Sequence, residues 1–349
     1  MYRFVLWGIL PILLLPACQV SSPSSTQDTL LGKIDSLLQT YHEQNAFNGT
    51  ALVLDSGKVL YQKALGLAQK EPDEALTMES VFYLGSLAKQ FTAMAVMLLQ
   101  YEEKLDYDRS IRTYLPELPP LCDSITPRHM LTHTSGLWDY YGLGAYKDGF
   151  RNEDVWNLVQ EMDSLEFAPG TQYSYSNTAY VLLSMLVEKL SGQTFGEYLK
   201  EHIFDPLEMN SSVVFDLTEP DIANRVTGYT SEGNPDDYKA FTTGGGGIFS
   251  NIPDLLKWEA SLYSNSYFPQ TVIQDAYQPY QLTDTSFSYY GFGWRIDEEN
   301  GNIVQHSGSL AGFRTFMYRD IDRQLVVILL SNFTNDVGEL TEQVVELVR

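Results

Sequence analysis

Ser86-Leu87-Ala88-Lys89 sets a hydroxyl and an amine three residues apart. On a helix, positions i and i+3 share a face, so the two groups can meet. They open a run to Tyr101 in which Leu87, Ala88, Phe91, Ala93, Met94, Ala95, Val96, Met97, Leu98 and Leu99 leave almost no polar side. A helix apolar all round is a buried one. Burial lowers a lysine pKa, and a neutral amine can take the serine proton. N–H groups at the helix start would stabilise a developing oxyanion. The spacing alone arises by chance about once in a chain of this size. The apolar setting gives it weight, because a lysine there needs a reason.

Two further segments carry suitable groups. Phe167-Ala168-Pro169-Gly170-Thr171-Gln172-Tyr173-Ser174-Tyr175-Ser176-Asn177 runs from a Pro-Gly turn into an apolar helix, Ala179 to Leu190. Tyr175 and Asn177 would project together from that helix start, a phenol to relay protons and an amide to hold a carbonyl. Read alone, a loop tyrosine and a helix-capping asparagine are the better account of them. His306-Ser307-Gly308-Ser309 lies between the expected strands Ile303 to Gln305 and Gly312 to Tyr318. Gly308 would let a ligand backbone approach the strand, and the Ser309 N–H could serve as a second oxyanion donor. A strand-end histidine in a tight turn is the plainer account of that segment.

Other candidates are weaker. Tyr263-Ser264-Asn265 repeats the Tyr-Ser-Asn triplet but follows a helix and lacks the Pro-Gly turn. His129 and His133 are spaced like metal ligands, yet Met130 stands where a zinc protease needs its glutamate, so no metal site is expected. Gly244 to Gly247 lacks the Lys-Ser/Thr of a phosphate cradle, and close packing fits it better. Cys122 follows Pro119-Pro120-Leu121 and reads as a buried, unreactive thiol. With Asp plus Glu at 45, pairs of carboxylates for glycoside chemistry can be drawn at will and carry no signal.

The chain must position these groups. Of its 349 residues, 44% are hydrophobic and 19% charged, which excludes a disordered or collagen-like chain. Lys plus Arg is 22, giving a net charge of −23. Such a surface repels nucleic-acid phosphates and anionic membranes. The 23 tyrosines suit a cleft that grips polar ligands with flat rings. Asp28 to Glu43 and Thr334 to Arg349 have helical periodicity. Gly49 to Leu54 and Val59 to Leu65 flank the turn Asp55-Ser56-Gly57-Lys58, and Gly312 to Tyr318 and Gln324 to Ser331 form a second hairpin. Strands at both ends and helices between them predict an α+β fold: one antiparallel sheet covered by the terminal helices, residues 29–100 and 241–349, with a mostly helical lobe at 101–240 and the site in the cleft between.

The N-terminus reads as an export segment. Arg3 precedes an apolar run from Phe4 to Leu15, shorter than the ~20 residues a bilayer span needs. It ends Leu15-Pro16-Ala17-Cys18, similar to a bacterial lipobox. This predicts a signal at 1–17, lipidation of Cys18, and a polar tether over 18–28 on an exported, membrane-anchored protein. A plain signal peptide cut nearby is the alternative. With Cys18 lipidated, Cys122 has no disulfide partner.

The serine, tyrosine and histidine segments, in that order, resemble the serine β-lactamase and penicillin-binding-protein superfamily, in the branch of class C β-lactamases, D,D-peptidases, D-aminopeptidases and related esterases. Leu131-Thr132-His133-Thr134-Ser135-Gly136-Leu137, Pro169-Gly170-Thr171, Pro206-Leu207-Glu208-Met209 and Gly245-Gly246-Gly247-Ile248-Phe249-Ser250 extend the likeness over nearly the whole mature chain. The resemblance implies Ser86 as acylated nucleophile, Lys89 as its base, Tyr175 in the proton relay, Asn177 on the substrate amide, and the N–H groups of Ser86 and Ser309 as oxyanion hole. No metal or organic cofactor is implied. His306, with Ser307 and Gly308, stands where β-lactamases carry Lys-Thr-Gly, and neutral histidine attracts a substrate carboxylate less than lysine. That departure favours a D,D-peptidase or esterase over a β-lactamase proper. Cell-wall D-amino peptides, β-lactams, short esters and other amides all stay open as substrates. A non-catalytic sensor on the same fold is the rival from another class.

Overall fold

The computed structural model describes residues 25–216 and 221–349. The segment expected to direct export, Cys18 and most of the expected tether lie outside them. The fold is α+β. Its main sheet has six antiparallel strands: β1 (Gly49–Asp55), β2 (Lys58–Leu65), β3 (Arg295–Ile296), β4 (Ile303–Leu310), β5 (Phe313–Asp320) and β6 (Leu325–Ser331), in the order β3-β4-β5-β6-β1-β2. The N-terminal hairpin thus joins the C-terminal one through β1 and β6, with Gly49 opposite Ser331 and Leu54 opposite Val326. Between β1 and β2, Ser56 and Gly57 both take positive φ, 52° and 71°. That is the twist a two-residue hairpin turn requires.

Alternation along the strands divides the core. Ala51, Val53, Val327 and Leu329 face the terminal helices Ser25–Glu43 and Gly338–Val348, against Ile34, Leu38, Leu340 and Val344. Leu52, Leu54, Val326, Ile328 and Leu330 face the larger core, which includes Phe91, Met94 and most of the helices between the hairpins. β6 is buried at every position, as a central strand packed on both faces must be. The last helix begins at Gly338, later than its periodicity suggests. Asp336 holds the preceding turn by accepting from the Gly338 N–H at 3.0 Å.

The segment bearing Ser86 also differs from a continuous helix. Gly85–Ala88 is a 3-10 turn, and the α-helix proper is Lys89–Tyr101. Two attachments fix the turn: the Leu84 N–H donates to the Ile248 carbonyl at 2.9 Å, and Thr315 Oγ1 on β5 donates to the Leu84 carbonyl at 2.7 Å. In a 3-10 turn, residues i and i+3 eclipse. The 3-10 geometry therefore sets Lys89 in line with Ser86 along the helix axis, where an α-helix would offset the two around it.

Candidate active site

Lys89 is wholly buried. Its Nζ lies 3.1 Å from Ser86 Oγ, 2.7 Å from Asn177 Oδ1 and 2.8 Å from the Gly245 carbonyl. Burial lowers its pKa to about 7; Asp139 opposes the shift and Arg295 adds to it. At that value the amine is neutral in a large fraction of molecules at neutral pH. A neutral amine has two N–H donors and one lone pair. Asn177 Oδ1 and the Gly245 carbonyl can only accept, so they take the two donors. The lone pair is left for the Ser86 hydroxyl.

Asn177 opens the helix Asn177–Ser191, capped by Ser176, whose hydroxyl accepts from the Ala179 N–H at 3.2 Å. Asp139 fixes it further, accepting from the Asn177 backbone N–H at 3.1 Å and from Nδ2 at 3.2 Å. Both ends of the Asn177 amide are therefore engaged inside the protein, one on Lys89 and one on Asp139. Burial raises the Asp139 pKa, and its bonds from Asn177 and the Lys89 charge pull it back.

Tyr175 lies beside this pair, its ring centre 4.7 Å from Lys89 Nζ. Its hydroxyl is buried and makes no hydrogen bond of ordinary geometry. Burial holds the phenol above its usual pKa, and the nearby Ser86 hydroxyl partly offsets that. It is a neutral phenol at any physiological pH.

Ser86, Tyr175, Asn177 and Ser309 line one cavity of about 230 Å3 together with Tyr83, Tyr140, Tyr141, Thr242, Gly245, Gly246 and Leu310. The sheet brings Ser309 there: β4 runs along the 3-10 turn, and a Cβ on Gly85 would lie 2.7 Å from the Ser309 nitrogen. Tyr83 stacks on Tyr238 at 4.1 Å and Tyr140 on Tyr141 at 4.6 Å. A larger open groove of about 960 Å3 runs beside Leu30, Lys33, Asp55 and Leu60, but shares no residue with this set.

Of the His306 segment, only Ser309 lines the cavity. His306 is buried; Tyr290 OH lies 2.7 Å from Nε2 and the Ser307 carbonyl 2.7 Å from Nδ1. Burial and the Lys89 charge lower its pKa to about 3, against a smaller opposing effect of the Ser307 carbonyl. Neither His306, Ser307 nor Gly308 lines the cavity. Gly308 is open not to a ligand but to its own chain: a Cβ there would meet the Leu84 carbonyl at 2.0 Å and Thr315 Oγ1 at 2.2 Å.

The weaker candidates also have their places. His129 Nδ1 accepts from the Thr126 N–H at the start of the helix Pro127–Leu131, and His133 lies past that helix's end, so the pair shares no helical face. The carbonyls of Gly244 and Gly245 accept from Thr92 and Lys89, so this loop presents acceptors where a phosphate needs donors. Tyr263 packs near Arg319, away from the cavity. Cys122 is buried, and burial pushes its thiol up to about 11. Among the described residues, no helix is long and apolar enough to cross a membrane.

Asp139, Tyr140, Tyr141 and Arg295 were not singled out by sequence reasoning. Arg295, on β3, is exposed, its guanidinium carbon 5.7 Å from the Tyr175 ring centre and 5.8 Å from that of Tyr290. Its neighbours in sequence give no sign of this; only the antiparallel pairing of β3 with β4 brings it here.

This arrangement agrees with what the chain is similar to. The Beta-lactamase family profile matches residues 34–347. Penicillin-binding protein 4* of Bacillus subtilis (strain 168) is 33% identical over 326 residues, 87% of this chain and 72% of that protein. A D-aminopeptidase of Brucella canis is 28% identical over 305 residues, 83% of this chain but only 57% of the longer relative. The octameric penicillin-binding protein homologue from Pyrococcus abyssi superposes with a TM-score of 0.79 at 26% identity, covering 91% of this chain and 77% of the other. The chain belongs to the beta-lactamase family and is a serine hydrolase of the penicillin-binding-protein-like kind.

Proposed function

We propose that the protein cleaves amides or esters through an acyl-enzyme on Ser86, as a D,D-peptidase or esterase. The observation that carries this is the amine of Lys89, buried directly behind Ser86 with its lone pair free for the Ser86 hydroxyl, while Ser86 itself lines a cavity that can take a small molecule. The Ser86 proton passes to Lys89 Nζ as Oγ attacks the carbonyl carbon. The oxyanion is held by the N–H groups of Ser86 and Ser309. Tyr175, as a neutral phenol, passes a proton to the leaving group and is reprotonated from Lys89, so the serine proton leaves with the amine or alcohol. Water then attacks the ester, and its proton follows the reverse route back to restore Ser86.

His306, neutral and bonded to Tyr290, offers no charge to a substrate carboxylate. Arg295 supplies that charge in this reading: it is exposed beside Tyr175. Peptides ending in a free carboxylate, such as cell-wall stem peptides, would use it; simple esters would not. Residues 1–28 are assigned to export and to a lipid anchor at Cys18, tested by loss of lipid labelling on Cys18→Ser.

The experiment is covalent labelling of the purified domain with a fluorophosphonate or a fluorescent penicillin, followed by turnover of D-Ala-D-Ala peptides and nitrophenyl esters. One labelled serine, lost on Ser86→Ala, is expected. Absence of any adduct across pH would favour a non-catalytic binding protein. If peptides are the substrate, Arg295→Gln raises KM for them by about tenfold, the worth of a charge-assisted hydrogen bond, and leaves KM for esters unchanged.

A further inference from the structure

His133 packs against the reacting set, and the mechanism above leaves it idle. It is fully buried, takes a positive φ of 58°, and its Nε2 has no hydrogen-bond partner. Burial, followed by the electrostatic influence of Lys89, keeps its pKa well below the usual histidine range, so the ring is neutral. Such a residue is costly: a phenylalanine would fill the space without an orphaned donor. What imidazole adds over a phenyl ring is Nδ1.

Nδ1 has a definite partner. It accepts the Ser176 N–H at 3.0 Å, while the His133 carbonyl accepts the Ser174 N–H at 2.9 Å. These donors are the residues on either side of Tyr175. The His133 ring also packs on the Tyr175 ring, centres 4.2 Å apart and planes at 36°. Tyr175 is thus tied before, behind and across its face to one residue, while its own hydroxyl is tied to nothing.

We propose that His133 is the positioning residue for Tyr175: bonds from both flanking N–H groups and the ring contact hold the phenol over Ser86 and Lys89, leaving its hydroxyl free to move a proton. This rests on the role given to Tyr175 above. Asparagine suits the test, because it tolerates a left-handed backbone and its Oδ1 can replace Nδ1 as acceptor.

The experiment measures kcat and KM for His133→Phe, His133→Asn, Tyr175→Phe and the His133→Phe/Tyr175→Phe double variant, with thermal melts to confirm folding. H133F should lower kcat by about tenfold with KM unchanged, and H133N should restore it to within about threefold. In the Y175F background, H133F should cost less than about twofold more, since there is no longer a phenol to place. His133→Met fills the space flexibly and substitutes for H133F, with the same expectations, if the latter does not fold. An equal loss from H133F in both backgrounds, or full activity of H133F where Y175F is impaired, overturns the proposal. A fully active Y175F instead overturns the catalytic role of Tyr175, so the two failures are told apart.

Discussion

The charge on Lys89 is set by competing neighbours, and each can be removed singly. Asp139 favours the ammonium form, while burial and Arg295 favour the amine. Asp139→Asn therefore lowers the Lys89 pKa by about one unit. The acid limb of kcat/KM should move down by that amount, so activity at pH 6 relative to pH 8 rises, even if the loosened Asn177 lowers the maximum. A limb that stays in place would show that Asp139 does not act on the base. Ser86 and Lys89 were legible in the sequence because a lysine three residues past a serine, at the head of an apolar run, is too costly to bury without a chemical role, whereas Tyr175 was legible only through the family resemblance, since a loop tyrosine accounts for its segment read alone. Asp139 was not, since one carboxylate among 45 carries no mark of its own. His306 was legible as a departure from lysine, but its burial against Tyr290 was not, because that contact depends on the register of strands.

At the scale of elements, the site depends on how closely β4 approaches the 3-10 turn. Gly308→Ala sets a methyl group 2.0 Å from the Leu84 carbonyl, so the turn carrying Ser86 must retreat. Acylation should fall by about a hundredfold or more, as misplacement of reacting groups does, with a lowered melting temperature. Wild-type activity in that variant would mean the approach does not matter. Behind the site, Arg319 on β5 and Glu259 on the helix Ile252–Ser261 form an ion pair at 2.6 Å, both nearly inaccessible to solvent, and the guanidinium also donates to the Tyr277 hydroxyl. Glu259→Ala leaves a buried cation uncompensated and should cost about 3–5 kcal/mol in chemical denaturation. The Glu259→Leu/Arg319→Met pair should recover most of that; a double variant as unstable as the single would refute the uncompensated charge as the cause. The hairpins were readable from alternation and turn residues. The 3-10 start of the serine helix was not, because β5 and the Ile248 carbonyl impose it from distant sequence.

For the whole molecule, burial of neutral histidines makes stability depend on pH. His306 titrates near 3 when folded and near 6.5 as a free group; His133 is displaced in the same direction. The unfolded chain therefore binds more protons between those values, and stability falls as pH drops from 6.5 toward 3. Denaturation midpoints should decline across that window, and His306→Gln should flatten part of the decline. An unchanged slope would mean His306 is not buried neutral. The same net charge of −23 that excluded nucleic acid in the sequence shrinks over this range, so relief of charge repulsion opposes the loss and His306→Gln isolates the histidine contribution.

The most direct test is the rate of Ser86 acylation by a single reagent as a function of pH. If Lys89 takes the serine proton as an uncharged amine, the second-order rate rises tenfold per unit below pH 7, bends at about 7 and stays level above it. A rate that climbs without a bend toward 10.5, the value of an unperturbed lysine, or that does not change with pH at all, would contradict it.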